Sequence, residues 1–213
     1  MRAGGAAAWL DAAASVVTRY RPGEMLYEIR DPVLGPGGVL RLTAVALDQT
    51  DGLIVRVEFV AGVADPGIGP ALAGPTAPVE LVLAFGGVNG QRGRRDGDIG
   101  TEAVPISEYF QLQPEFCRDN RFTIVANTFT LRSTAATMVG LAPPDATLAV
   151  ADATQWVSAA DLFGGTAAAP SGSSARTEPG PPPILPVVIG RVALVSGRSL
   201  FFSLQRITDG AAA

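Results

Sequence analysis

Residues 79–85 read VELVLAF and residues 122–132 read FTIVANTFTLR, and a long, mostly polar segment separates these two β-rich runs. The first run is followed by GGVNG at residues 86–90 and then by QRGRRDGDIG at residues 91–100. No lysine and no helical pattern follow the glycines, so this is not a phosphate-binding loop, and a bend leaving the strand is the better interpretation. The pattern predicts a strand, a long structured loop and a second strand. Long connections of this kind in ordered domains are usually functional.

The rest of the chain repeats short apolar and polar alternations that are separated by turn residues, which is typical of strands. The last two form a predicted hairpin, residues 187–195 with residues 199–207, around Ser196-Gly197-Arg198. Several short strands with little helix predict an all-β fold, an antiparallel β-sandwich of the supersandwich-like type. The other predicted strands are residues 24–30, 39–47, 53–60, 136–140 and 147–150.

The N-terminal segment has a different pattern, with apolar residues at spacings of three and four between residues 6 and 20. That spacing predicts one short helix, which Pro22-Gly23 ends. We therefore expect a helical segment at residues 1–20, a sandwich domain at residues 21–207 and a tail at residues 208–213. Residues 164–183 are rich in Gly, Ala, Ser and Pro and are predicted to be a flexible insertion in the sandwich. A helical turn is predicted within residues 156–163.

Composition excludes several classes of function. The chain has no histidine, and its 16 basic residues are all arginine, which excludes catalytic triads with histidine, histidine-ligated zinc and Schiff-base lysines. The net charge of −4 and the absence of a long basic run argue against nucleic-acid binding. No apolar run reaches the roughly 18 residues of a membrane span, and no clear signal peptide is present. The single cysteine, Cys117, is predicted to be a small buried residue. No cofactor is predicted.

The predicted loop carries the residues with the most chemical potential, Asp96 and Asp98 among Arg92, Arg94 and Arg95. Arginine–aspartate pairs that order the loop are the simplest interpretation. A surface that faces a ligand is the second, with Arg92, Arg95, Asp96, Asp98 and Tyr109 as the candidate ligand-binding residues. Two carboxylates two positions apart also suit Ca²⁺, but the later ligands of an EF-hand are missing, so no metal site is predicted.

Two further sets of residues have a catalytic or binding interpretation beside a structural one. Glu102, Glu108 and Glu115 are either surface carboxylates or the acid and base of glycoside hydrolysis, which need a defined separation that sequence does not give. The aromatic residues are either part of the core or a platform on which sugars stack. They are Trp9, Tyr109, Phe110, Phe116 and Trp156.

Three runs of residues resemble an uncharacterised family of large bacterial proteins that look like glycoside hydrolases. They are residues 85–92 (FGGVNGQR), 95–100 (RDGDIG) and 109–117 (YFQLQPEFC), and the strand at residues 24–30 and the closing strands are similar too. In that family the matching region is a β-sandwich placed before a helical-toroid, (α/α)₆-type catalytic domain. The resemblance covers roughly residues 20–207 and implies a carbohydrate-related role.

This resemblance implies a non-catalytic module that supports or contributes to a glycan-binding cleft. Its expected partners are a helical-toroid catalytic domain or separate chain and a glycan ligand, and a homo-oligomer is a further expectation. A periplasmic or secreted location is what the family suggests. Two alternatives stay open: a stand-alone glycoside hydrolase using Asp and Glu carboxylates, and a structural or assembly module without affinity for sugar.

Overall fold

The computed structural model describes residues 1–62, 78–86, 114–134, 136–164 and 182–207. Within these ranges the chain forms thirteen strands, one α-helical turn, α1 (Asp161–Gly164), and three short 3-10 helices, Pro32–Leu34, Pro114–Cys117 and Ala153–Gln155. The strands are β1 (Arg2–Ala3), β2 (Ala6–Ala7), β3 (Ser15–Arg21), β4 (Glu24–Arg30), β5 (Val39–Ala46), β6 (Gly52–Val60), β7 (Val79–Phe85), β8 (Arg121–Val125), β9 (Thr128–Arg132), β10 (Thr137–Leu141), β11 (Thr147–Asp152), β12 (Pro186–Leu194) and β13 (Ser199–Ile207).

The strands form two antiparallel sheets, and the prediction of an all-β sandwich is confirmed. The small sheet has the order β11-β12-β7-β1-β2, and the large sheet has the order β3-β4-β5-β6-β13-β10-β9-β8. Both sheets contribute buried side chains to one apolar core, which includes Leu81 and Val192 of the small sheet and Val57, Phe129 and Phe202 of the large sheet. Alternate residues of each strand enter this core because strand side chains point to opposite faces in turn.

A second, smaller cluster covers the outer face of the small sheet. It contains Cys117, Ala149, Val187 and Ile189, with Trp156 packed against it. Because β12 meets the main core on one face and this cluster on the other, the four residues 187–190 are all buried. The prediction that Cys117 is a small buried residue is confirmed, since only 1% of it is exposed.

The predicted N-terminal helix is wrong. Residues 2–3 and 6–7 are short strands of the small sheet, and Ser15–Arg21 is an edge strand of the large sheet. Arg21 pairs with Glu24, so Pro22 and Gly23 form the turn of a hairpin rather than the end of a helix. Gly23 has a φ of 85°, which glycine adopts without strain. The β-branched residues Val16, Val17 and Thr18 favour a strand.

Two predicted strand arrangements also need correction. The run at residues 122–132 is not one strand but the hairpin β8–β9, whose turn holds Ala126 at a φ of 52°. The predicted closing hairpin is wrong, because β12 pairs with β7 and β11 whereas β13 pairs with β6 and β10. The turn at residues 195–198 therefore crosses from one sheet to the other. Four residues of helix, α1, confirm only the second half of the turn predicted at residues 156–163.

Candidate interaction face

The five predicted ligand-binding residues, Arg92, Arg95, Asp96, Asp98 and Tyr109, lie outside the described residues, as do Glu102, Glu108 and Phe110. Residues 87–113 of the predicted long loop, most of the predicted insertion and the predicted tail lie outside them too. The described residues do contain both attachment points of the segment at residues 87–113.

Asn120, which follows this segment, connects to Gly86, which precedes it, and to Pro186 at the start of β12, at one end of the small sheet. Its side-chain nitrogen donates hydrogen bonds to the carbonyl oxygens of Gly86, at 2.7 Å, and Pro186, at 3.2 Å. Asn120 is 6% exposed, and it is the one buried polar or charged residue in the described ranges. Gly86 has little room for a side chain, because a Cβ there would lie 2.8 Å from Cγ1 of Val187 and 3.3 Å from Sγ of Cys117. The sequence marks Asn120 only as a turn residue, so its bridging role was missed.

Asp152 fixes a neighbouring part of the same end of the small sheet. Its carboxylate accepts hydrogen bonds from the amides of Ile184, at 2.7 Å, Leu185, at 3.2 Å, and Thr154, at 3.0 Å. Burial alone raises the pKa of Asp152, but the hydrogen bonds from these three amides and the Thr154 hydroxyl outweigh burial and lower the pKa. The carboxylate therefore stays ionised and acts as a structural acceptor for the start of β12.

The outer face of the large sheet carries a row of side chains, four of them exposed and apolar, which we call the apolar row. Direct cross-strand partners link Val45 to Ile54, Ile54 to Ser203, Ser203 to Leu141, Leu141 to Thr128 and Thr128 to Val125. Direct partners point to the same face, so these side chains cross six strands, or about 24 Å at the usual strand spacing. The apolar members of the row are between 38% and 69% exposed, and Phe201 beside it is 53% exposed.

A charged row lies on the same face, separated from the apolar row by Thr43, Arg56 and Phe201, which are cross-strand partners. Glu28 pairs across strands with Arg41, and Arg41 pairs with Glu58. Arg30 donates a hydrogen bond to Glu28 at 2.7 Å, and Arg41 lies 3.7 Å from the same carboxylate. The hydrogen bond from Arg30, with the charges of Arg30, Arg41 and Arg19, lowers the pKa of Glu28. These charges pair with one another, and Arg56, which lies between them and the apolar row, is 3.5 Å from Glu58.

Several carboxylates in the described ranges act as acceptors in ion pairs and turns. The four whose pKa shifts, Glu28, Asp145, Asp152 and Asp161, all shift downward, so none of them is tuned to donate a proton near neutral pH. No group of three His, Cys, Asp or Glu side chains there could hold a metal ion.

The aromatic residues divide between the core and the surface. Trp156 packs against the smaller cluster, as the core interpretation predicts, and Phe116 is half-buried. Trp9 is 42% exposed. None of the helices in the described ranges has the length and apolar character that crossing a membrane requires.

Comparison with known proteins places the chain in one family. No curated protein matches the sequence. Residues 1–209 match a sequence family described as a domain of unknown function, DUF4450. That match spans both sheets of the sandwich, including the N-terminal strands. The chain therefore belongs to the DUF4450 family.

Proposed function

We propose that this chain is a non-catalytic β-sandwich module of a carbohydrate-active protein, where it supports or contributes to a glycan-binding cleft. The observation that carries the proposal is the apolar row, since exposed apolar side chains grouped on one face are typical of a site of protein interaction. The carbohydrate part rests on the resemblance of residues 85–117 to glycoside-hydrolase-like proteins.

The shape of the apolar row suits a helix of a neighbouring domain. A helix about 16 residues long has the length of the row, and its own diameter of about 10 Å would cover the side chains of Ile54, Leu141 and Phe201. The Ser203 and Thr128 hydroxyls within the row add little bulk between the larger side chains. A helical-toroid domain presents many such helices, and this is why we propose it as the partner.

Four carboxylates of the described ranges, Glu28, Asp145, Asp152 and Asp161, have structural rather than catalytic roles. Asp152 and Asp161 accept hydrogen bonds from backbone amides in turns, and Glu28 and Asp145 form ion pairs with arginines. These four groups therefore stabilise the structure. Glycoside hydrolysis needs one carboxylic acid that keeps its proton near the working pH. A lowered pKa is the opposite of that requirement.

The proposal predicts that a helical-toroid domain from the same genome binds this chain through the apolar row. We expect the two purified proteins to elute together in size-exclusion chromatography. Leu141→Arg and Ile54→Arg should abolish co-elution, because each places a charge where the partner helix excludes water. Ile207→Arg is the matched control: Ile207 is 44% exposed, like Leu141, and lies on the same face but outside the row. Co-elution that survives both row variants, or no co-elution with any toroid domain, contradicts the proposal.

A further inference from the structure

The free edge of the large sheet is a second exposed surface. Strand β3 ends the strand order and, among the described residues, has a neighbouring strand on one side only, β4. Six of its seven residues are exposed, including Val16 at 40% and Tyr20 at 73%. An edge strand of this length presents unpaired N–H and C=O groups to which another strand can bind.

The five-stranded sheet does not cover this end of the large sheet. Val16 pairs with Ile29, and both lie on the inner face. Ile29 is 3% exposed and belongs to the core, whereas Val16 is 40% exposed. Tyr20 and its partner Met25 lie on the same face, with Tyr20 the most exposed aromatic residue in the described ranges. Strand β3 therefore projects past the small sheet with both of its faces in solvent.

The hairpin β3–β4 determines which backbone groups point outward. Arg21 and Glu24 flank a two-residue turn, and in such hairpins the flanking pair exchanges hydrogen bonds. Hydrogen-bonded and non-hydrogen-bonded pairs alternate along antiparallel strands. The N–H and C=O groups of Val16, Thr18 and Tyr20 consequently point away from β4, toward the free edge.

We propose that β3 binds β3 of a second copy of this chain, antiparallel and about a two-fold axis at Thr18, so that the two large sheets become one. This register pairs Thr18 with Thr18 and Val16 with Tyr20, which uses every outward-pointing group and forms about six backbone hydrogen bonds between the copies. A register centred on Val17 instead would pair Val16 with Thr18 and leave the outward-pointing N–H and C=O groups of Tyr20 without a partner among the three residues. A register centred on Arg19 places two arginines directly opposite each other, which is destabilising.

The charges on the outer face also suit self-association in this register. Arg19 of one copy lies opposite Val17 of the other, and Val17 is the cross-strand partner of Glu28. Each Glu28 thus gains an arginine of the second copy two strands away. Arg21 lies opposite Ser15, beside Arg30, but these two arginines already hold carboxylates of their own chain, Glu24 at 3.3 Å and Glu28 at 2.7 Å. The proposal does not depend on the proposed function, because it uses the sheet edge and not the apolar row.

The test is the mass of the intact protein in sedimentation velocity from micromolar to millimolar concentration. We expect the wild type to move from monomer to dimer across this range. Thr18→Lys should keep the protein monomeric, because it sets two like charges opposite each other at the axis. Thr123→Lys is the matched control, since Thr123 is an exposed threonine on β8, the other edge strand of the same sheet. It should dimerise like the wild type.

Hydrogen exchange supplies a second readout that does not depend on any variant. The amides of Val16, Thr18 and Tyr20 should become protected as the protein concentration rises, whereas those of Val17 and Arg19 should be protected at every concentration by their bonds to β4. A protein that is monomeric throughout, a dimer that survives Thr18→Lys, or a dimer lost in Thr123→Lys overturns the proposal. So does dimerisation without the alternating protection.

Discussion

The ring of Phe129 packs directly against the backbone of Gly140 in the large sheet. The two residues are direct cross-strand partners, and a Cβ on Gly140 would overlap the ring of Phe129. Phe129 is 2% exposed, and its ring lies 6.3 Å from the rings of both Phe85 and Phe122. An aromatic ring over a strand glycine fills the space that a side chain would occupy. Here the glycine is what gives the ring its place in the core.

Replacing Gly140 with alanine should therefore destabilise the fold. We expect the free energy of unfolding to fall by about 1–3 kcal/mol, the usual cost of overpacking a core, because a Cβ at position 140 would force the buried Phe129 ring to move. Urea unfolding followed by circular dichroism measures the change. Gly5→Ala is the control and should change stability by less than about 0.5 kcal/mol, since nothing lies within 4 Å of a Cβ there. A Gly140→Ala protein as stable as the control would show that the ring does not rest on Gly140.

At the scale of the elements, two turns connect the large sheet to the small sheet, and a strand pattern does not reveal them. Arg198, in the turn from β12 to β13, donates hydrogen bonds to both carboxylate oxygens of Asp145, at 2.7 and 2.9 Å. Asp145 lies in the turn from β10 to β11, which crosses between the same two sheets. The pair thus ties two crossing turns together. The amide of Gly197 bonds to the carbonyl oxygen of Phe59, at 2.9 Å, and fixes the turn to β6.

The Asp145–Arg198 pair should make stability depend on pH. The hydrogen bond from Arg198 lowers the pKa of Asp145 in the folded protein. The pair therefore stabilises the fold above the unfolded-state pKa of about 3.9, and that contribution disappears as pH falls through the lower, folded-state pKa. Both side chains are about two-fifths exposed, so we expect Asp145→Asn to cost at most about 1 kcal/mol at pH 7. Unfolding in urea at a series of pH values measures the difference.

The control for this effect is the double variant Asp145→Asn with Arg198→Met. In the resulting double-mutant cycle, the coupling energy between the two residues should be present at neutral pH and absent in acid. A coupling energy that stays constant from neutral pH to well below the unfolded-state pKa would contradict the assignment to this carboxylate.

Local patterns predicted individual strands well and their partners poorly. The bounds predicted for β4 and β7 match the structure, because apolar alternation reports directly on a half-buried strand. The error at residues 6–20 arose because spacings of three and four also occur in a strand that is exposed on both faces, as β3 is. The error at the closing strands arose because alternation gives the faces of β12 and β13 but not the sheet to which each belongs.

At the scale of the whole molecule, the sequence was sufficient for the class of fold and insufficient for the interaction surfaces. The apolar row is formed by residues from six strands, and only the register brings Val45, Ile54 and Leu141 into line. Asn120 likewise connects Gly86 and Pro186, which are 34 and 66 positions away along the chain. No local pattern reports on such contacts. The predicted site at Arg92, Arg95, Asp96, Asp98 and Tyr109 remains a prediction from sequence.

That predicted site gives an expectation for the purified protein as a whole. We expect it to bind at least one polysaccharide on a broad glycan array and to hydrolyse none. Arg92→Ala and Asp98→Asn should weaken binding without lowering the melting temperature, because on this hypothesis each removes a polar contact to sugar, whereas a lower melting temperature would favour ion pairs that order the loop. Arg118→Ala, at an exposed position, is the control. Hydrolysis that Asp98→Asn abolishes would favour the stand-alone hydrolase, and the absence of any binding would favour an assembly module without sugar affinity.

The position of β13 has a consequence for synthesis of the protein. Strand β13 lies between β6 and β10, so it joins β3–β6 to β8–β10, although it is the last strand of the described chain to be translated. Until residues 199–207 have left the ribosome, the large sheet can exist only as two separate pieces, each with an apolar inner face and an open edge. A nascent chain in that state exposes apolar surface and unpaired strand edges that favour aggregation, and slowed translation of residues 199–207 would increase the time it spends there.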